Sequence, residues 1–122
     1  MPQIVTQNQA ELEREGWEFQ SEEIPPATII IVGGDAPEVI GDLDAVAEGY
    51  RRLLRGDVSG NPQIFLRVSP QAAAIYTPYR VGITNTNRLL IHSSVYDRRD
   101  YNYRIVVNVN TKQVESWEEE PQ

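Results

Sequence analysis

Arg88–Trp117, RLLIHSSVYDRRDYNYRIVVNVNTKQVESW, is the stretch that decides the fold. Tyr103, Ile105, Val107 and Val109 fall on every second position, the period of a strand with one buried face. Arg88–Tyr96 reads as a strand before it. Val114 to Trp117 reads as one after it, reached through a tight turn at Asn110–Lys112. Toward the N-terminus, Ile64, Leu66 and Val68 alternate with Phe65 and Arg67, and Ala72–Tyr76 makes a further short run between Ser69-Pro70 and Pro78. The chain beyond residue 63 therefore reads as a succession of antiparallel strands.

Upstream the pattern changes. Thr28–Val32 (TIIIV) is β-branched throughout and suits a strand buried on both faces, broken by Gly33-Gly34. Asp35, followed by Pro37 and Glu38, has the form of a helix start. Val39, Leu43, Val46, Tyr50, Leu53 and Leu54 then recur at helical spacing as one apolar stripe, opposite Asp44, Glu48, Arg51, Arg52 and Arg55. Glu48 stands four residues before Arg52, a favourable pair, and Gly56 is the stop. Ala10–Glu15 reads as a short helix ended by Gly16, and Trp17–Gln20 as an extended segment before Pro25-Pro26. The expected fold is α+β, with one long helix packed on a curved antiparallel sheet of about four to five strands. Residues 1–122 form a single domain: an N-terminal helix and extended segment (1–27), an α+β core (28–117) and an acidic tail (118–122).

With 122 residues the chain has the length of one domain. It has no cysteine, which excludes a disulfide framework, a thiolate nucleophile and a zinc ribbon, and its one histidine, His92, excludes a self-contained multi-histidine metal site. No apolar run approaches the roughly 18 residues of a membrane span, and Met1–Ala10 has neither the basic start nor the apolar stretch of a secretory signal. A cytoplasmic protein is expected.

The net charge of −7 is unevenly spread. Residues 1–47 carry ten acids and one arginine (net −9), residues 48–112 four acids against nine arginines and Lys112 (net +6), and residues 113–122 four glutamates (net −4). A basic middle interleaved with tyrosines has the form of a nucleic-acid footprint. An acidic whole repels phosphate polymers at long range, so the expectation is that the acidic flanks fold back over the basic middle. Nucleic acid is not the expected partner.

Three places invite a chemical reading. Gly33-Gly34-Asp35 lies between a strand and the expected helix, yet it lacks the lysine of a phosphate loop and the third glycine of a dinucleotide turn, so Asp35 reads as a cap. His92 has Ser93, Ser94, Asp97 and Asp100 close in sequence. Adjacent strand residues point to opposite faces, which argues against a serine–histidine–acid arrangement. Tyr96–Tyr103 (YDRRDYNY) is the densest polar-aromatic cluster and is expected at a hairpin tip. Tyrosine and arginine are enriched at protein interfaces, so Tyr96, Arg98, Arg99, Tyr101 and Tyr103 are the candidate partner-binding residues.

Tyr103–Pro121 (YRIVVNVNTKQVESWEEEP) resembles the end of the non-catalytic N-terminal domains of copper amine oxidases. Those domains close with a strand, a Thr-Gly-Lys-type turn and a strand ending Val-x-Ser-Trp before acidic residues and proline; Val114, Ser116, Trp117 and Glu118 match. With the helix to Arg55, the strand pair at Gln63–Ile75 and the strand at Leu89–Asp97, the likeness spans about residues 38–121. It implies a cystatin-like arrangement. Lys112 stands where that family has its turn glycine. The resemblance carries no activity across, since Asn102-Tyr103 is followed by Arg104 rather than an acid and the copper-binding histidines are missing.

The leading expectation is a free-standing, non-catalytic interaction module, binding another protein through one sheet face and the Tyr96–Tyr103 tip, with no cofactor and no metal. The Gln-x-Val-x-Gly loop of cystatin-type protease inhibitors is absent. A second reading is a small-molecule binder with a pocket between helix and sheet, lined by Phe65, Tyr76, Tyr79, His92, Tyr101 and Trp117. A third, an enzyme using His92 as general base with Asp97 or Glu115, lacks a nucleophile at any evident spacing. A homodimer formed through an exposed sheet edge stays open.

Overall fold

Strand β1 (Thr28–Val32) forms where β-branched residues crowd together, and Ile29 and Ile31 on it are wholly buried. The structure is a computed structural model and describes residues 26–57, 61–96 and 100–122. The expected helix at Ala10–Glu15, the extended Trp17–Gln20 and the residues Asp97, Arg98 and Arg99 lie outside this range. Strand β2 (Glu38–Gly41) returns antiparallel to β1, pairing Ile40 with Ile30. Helix α1 (Leu43–Leu54) follows, and strand β3 (Gln63–Arg67) then runs parallel to β1 on its other side. The three strands make a sheet of order β2-β1-β3.

The helix begins later than Asp35 and Glu38 suggest. Glu38–Gly41 is a strand, and Asp42 is the cap, its Oδ1 accepting from the Ala45 N–H at 3.1 Å. Val39 and Ile40 instead complete the hydrogen bonding along one edge of β1, which buried backbone requires. Gly41 makes the change of direction: its φ of 117° is one that side chains rarely adopt, and a Cβ there would strike the Thr28 carbonyl. The helix is 12 residues long. Leu43, Val46 and Ala47 are buried and Tyr50 half-buried, as the stripe implies, but Leu53 and Leu54 are exposed. Glu48 reaches Arg51 at 3.3 Å and Arg52 at 3.6 Å.

After β3 the chain is held by one side chain. The Arg67 guanidinium donates to the Pro70 carbonyl at 3.0 Å and to the Ala72 carbonyl at 2.6 Å. The expected strand at Ala72–Tyr76 reduces to a single bridge, in which Tyr76 and Leu66 exchange both backbone hydrogen bonds. Four strands then form an antiparallel meander: β4 (Arg80–Ile83), β5 (Arg88–Tyr96), β6 (Asp100–Asn108) and β7 (Gln113–Pro121). The β6–β7 turn places Lys112 at φ 61° and satisfies its backbone through Asn108, whose Oδ1 accepts from the Asn110 and Thr111 N–H groups at 2.9 and 3.1 Å. Lys112 itself takes the conformation that a glycine would take with less strain, and its Nζ lies 2.8 Å from Asp44 on the first helical turn. Glutamates 118–120, expected as a tail, continue β7 in pairing with β6.

Among the described residues the architecture is therefore α+β, with one helix and two sheets of three and four strands rather than one continuous sheet. A single core joins Ile29 and Ile31, Val46 and Ala47 of α1, Leu66 of β3, and Leu89, Ile91, Ile105 and Val107 of the larger sheet. At Gly33 the two sheets come together. A Cβ there would stand 2.6 Å from the Trp117 ring, so this close approach needs glycine. Two outcomes follow for urea unfolding. Asp42→Ala lowers stability by about 1 kcal/mol through loss of the cap, whereas Asp35→Ala stays within about 0.5 kcal/mol. Gly33→Ala, forced against Trp117, costs about 1–3 kcal/mol.

Candidate functional site

Alternation along β5 decides what the larger sheet shows to solvent. Leu89, Ile91, Ser93 and Val95 are buried, so Leu90, His92, Ser94 and Tyr96 stand on the opposite, outer face. Antiparallel register then carries that face across all four strands. One row consists of Arg80, His92, Arg104 and Glu118. The next toward the β4–β5 turn consists of Gly82, Leu90, Val106 and Ser116, and the next in the other direction of Ser94, Asn102 and Glu120. Leu90 and Tyr96 are 40% and 63% exposed, and the Tyr79 ring lies edge-on to His92 with centroids 6.2 Å apart.

The candidate residues of the hairpin divide. Tyr96 is exposed on the outer face, and its carbonyl accepts from the Tyr76 hydroxyl at 3.0 Å. Tyr103 is 5% exposed and belongs to the core, its ring set edge-on to Trp117 at 5.5 Å. It is thus removed from the candidate contact surface, because it shares the inward parity of Ile105 and Val107. Tyr101 has the same parity and is half-buried, 6.4 Å from Tyr103. The structure adds Leu90 and the row Arg80–His92–Arg104, whose alignment depends on strand register.

The six residues expected to line a pocket are not gathered at one place. Tyr79 and His92 meet on the outer face, while Trp117 pairs with Ile105 on the inner one. A notch of ≈ 190 Å³ on the outer face is lined by Arg80, Gly82, Leu90 and His92. A wider cleft of ≈ 440 Å³ lies between the end of α1 and the β4–β5 turn, lined by Arg51, Leu54, Arg55, Ile83, Thr84, Asn85 and Asn87. Across it Arg51 donates to the Asn87 side chain.

The acidic C-terminal segment meets the basic middle, while the glutamates of residues 1–25 lie outside the described residues. Arg88 Nε lies 2.9 Å from Glu115 Oε2, and Arg104 lies 3.6 Å from Glu120. The hydrogen bond and charge of Arg88, with a further hydrogen bond from Asn108, hold the Glu115 carboxyl below the usual carboxylate range. Both side chains are solvent-exposed. His92 has arginines on either side in its row, and Glu115 stands three positions along β7 from Glu118, the β7 member of that row, where it is paired with Arg88. Among the described residues no three His, Cys, Asp or Glu side chains group so as to hold a metal ion, and no helix is long and apolar enough to cross a membrane.

No protein-family model, curated protein or solved structure matches the chain.

The Glu115 arrangement gives a pH test. A carboxyl whose pKa is lowered on folding stabilises the fold above its unfolded value and loses that contribution as pH falls through the folded one. Between pH 7 and pH 3, wild-type protein should therefore lose more stability than Glu115→Gln, with the difference arising below about pH 4.5. Equal losses in chemical denaturation at the two pH values would show that the pair is not linked to folding.

Proposed function

We propose that the chain is a non-catalytic protein-interaction module whose contact surface is the outer face of the β4–β7 sheet, extending to the Tyr96 end of the β5–β6 hairpin. The observation that carries this reading is the make-up of that face. Leu90 and Tyr96 stand exposed among Arg80, His92 and Arg104, and all five are held on strand backbone. Aromatic and arginine side chains around an apolar centre form the pattern of an energetic anchor at an interface. Rigid strands also lower the ordering cost of binding.

Non-catalytic use is supported by the setting of His92, which is bordered by cations and set apart from Glu115. The likeness of residues 38–121 to the non-catalytic domains of copper amine oxidases supports the same reading and a cystatin-like kinship. A cytoplasmic setting belongs to the proposal, since a cysteine-free chain draws nothing from an oxidising compartment.

The test places the photo-crosslinking residue benzoylphenylalanine at Leu90 and, as a control, at Arg52 on the exposed side of α1. A defined protein adduct is expected from position 90 and not from position 52. Adding Arg104→Glu should lower its yield about tenfold, the effect of losing an interface residue worth over 1 kcal/mol. Equal adducts from both positions, or none from position 90, would remove this face as the contact surface.

A further inference from the structure

Resting on that reading, we infer that the partner of the outer face is a second copy of this chain, the two faces stacked about a two-fold axis running along the strands between β5 and β6. Charge on the face is polarised across the sheet. In the row Arg80–His92–Arg104–Glu118 the cationic end lies on β4 and the anionic end on β7. Among the described residues neither Arg80 nor Glu118 makes an ion pair, whereas Arg104 is engaged by Glu120.

A two-fold axis along the strands lays β4 over the partner's β7 and β5 over the partner's β6. Each Arg80 then faces the partner's Glu118, and each Leu90 faces the partner's Val106, so that four apolar side chains meet at the axis. A two-fold axis across the strands would set β4 over β4 and β7 over β7, cationic edge on cationic edge and anionic on anionic, and through this row would put Arg80 over Arg80 and Glu118 over Glu118. Like charges brought together in this way cost several kcal/mol, so the charge pattern selects the first axis.

Shape agrees with this choice. Gly82 lies at the β4 edge of the Leu90 row, and nothing lies within 4 Å of where its Cβ would stand. With Arg80, Leu90 and His92 it forms the notch of ≈ 190 Å³. In the proposed stack the partner's Ser116, and beside it the partner's Glu118, lie over this notch. Three nine-residue strands and one four-residue strand give a flat footprint of about 500 Å² at ordinary strand spacing. This is below the ~800 Å² per partner of a standard interface, so association is expected to depend on concentration. The net charge of −7 opposes approach at long range, but the facing pairs act within the Debye length of about 8 Å at physiological salt.

Sedimentation velocity on the full chain, from about 1 μM to 1 mM, tests the inference. The expected species at high concentration has twice the 13.8 kDa monomer mass. Arg80→Glu and Glu118→Arg should each raise the dissociation constant about tenfold or more, and the double variant carrying both should return to within about twofold of wild type. Leu90→Lys, which places charge at the axis, should also dissociate the dimer. All these positions are exposed or half-buried, and thermal melts confirm that each variant folds.

A monomer at every concentration overturns the inference, as does a dimer indifferent to the single charge reversals or one that the double variant fails to restore. Benzoylphenylalanine at position 90 separates this failure from that of the contact-surface reading. An adduct with a different protein overturns the second copy and leaves the surface standing, and an adduct within one chain to residues 1–25 overturns the second copy in favour of a self-contact. No adduct at all removes both.

Discussion

Strand β1 has to be paired on both edges and covered on the face carrying Ile29 and Ile31, and the rest of the structure is organised around that requirement. Its neighbour β3 runs parallel, and a parallel neighbour needs a crossover too long for a turn. Here β2 and α1 together make the crossover, with β2 closing the opposite edge on the way. The helix is consequently placed after β2, where Gly41 and Asp42 can turn the chain and cap it. Covering the buried face takes α1 and the larger sheet together, and Trp117 lodged against Gly33 marks how closely the two sheets approach.

Where local pattern and tertiary pairing agreed, the sequence was readable. β1 and β5 occupy Thr28–Val32 and Arg88–Tyr96, the limits their composition suggests, and the alternation of Tyr103, Ile105 and Val107 is the alternation of burial along β6. Where they competed, tertiary pairing prevailed. Asp35, Pro37 and Glu38 are a sound helix start in isolation, but the open edge of β1 draws Val39 and Ile40 into a strand. β4 was hidden because Gly82 interrupts its short pattern and Ala72–Tyr76 looked the better strand. Glu118–Glu120 looked like a solvated tail because charge says nothing of backbone pairing.

The same contrast applies to the candidate surface. Tyr96 was legible from the composition of the hairpin. Tyr103 was misplaced by composition, although its parity with Ile105 already assigned it inward. Leu90 lacked any compositional signal, but its parity opposite Leu89 and Ile91 places it outward once those two are known to be core. The row joining Arg80, His92 and Arg104 was beyond the sequence alone, because it exists only through the register of three strands. Charge was legible as a distribution and not as a geometry: the basic middle and the acidic end are adjacent strands, so that one face grades from cation to anion over the width of a sheet.

The long crossover also shapes the life of the chain before it is complete. β1 finds β3 through the pairing of Thr28 with Gln63, 35 positions further on, whereas β4 to β7 pair with their immediate successors. Closing the longer loop carries the larger entropic cost. During synthesis at about 5–20 residues per second, the TIIIV run leaves the ribosome several seconds before Leu89, Ile105 and Val107 exist to cover it. Such a run is a template for intermolecular pairing. Its flanks, Pro25-Pro26 on one side and Gly33-Gly34-Asp35 on the other, act as gatekeepers that keep the vulnerable stretch short until its partners arrive.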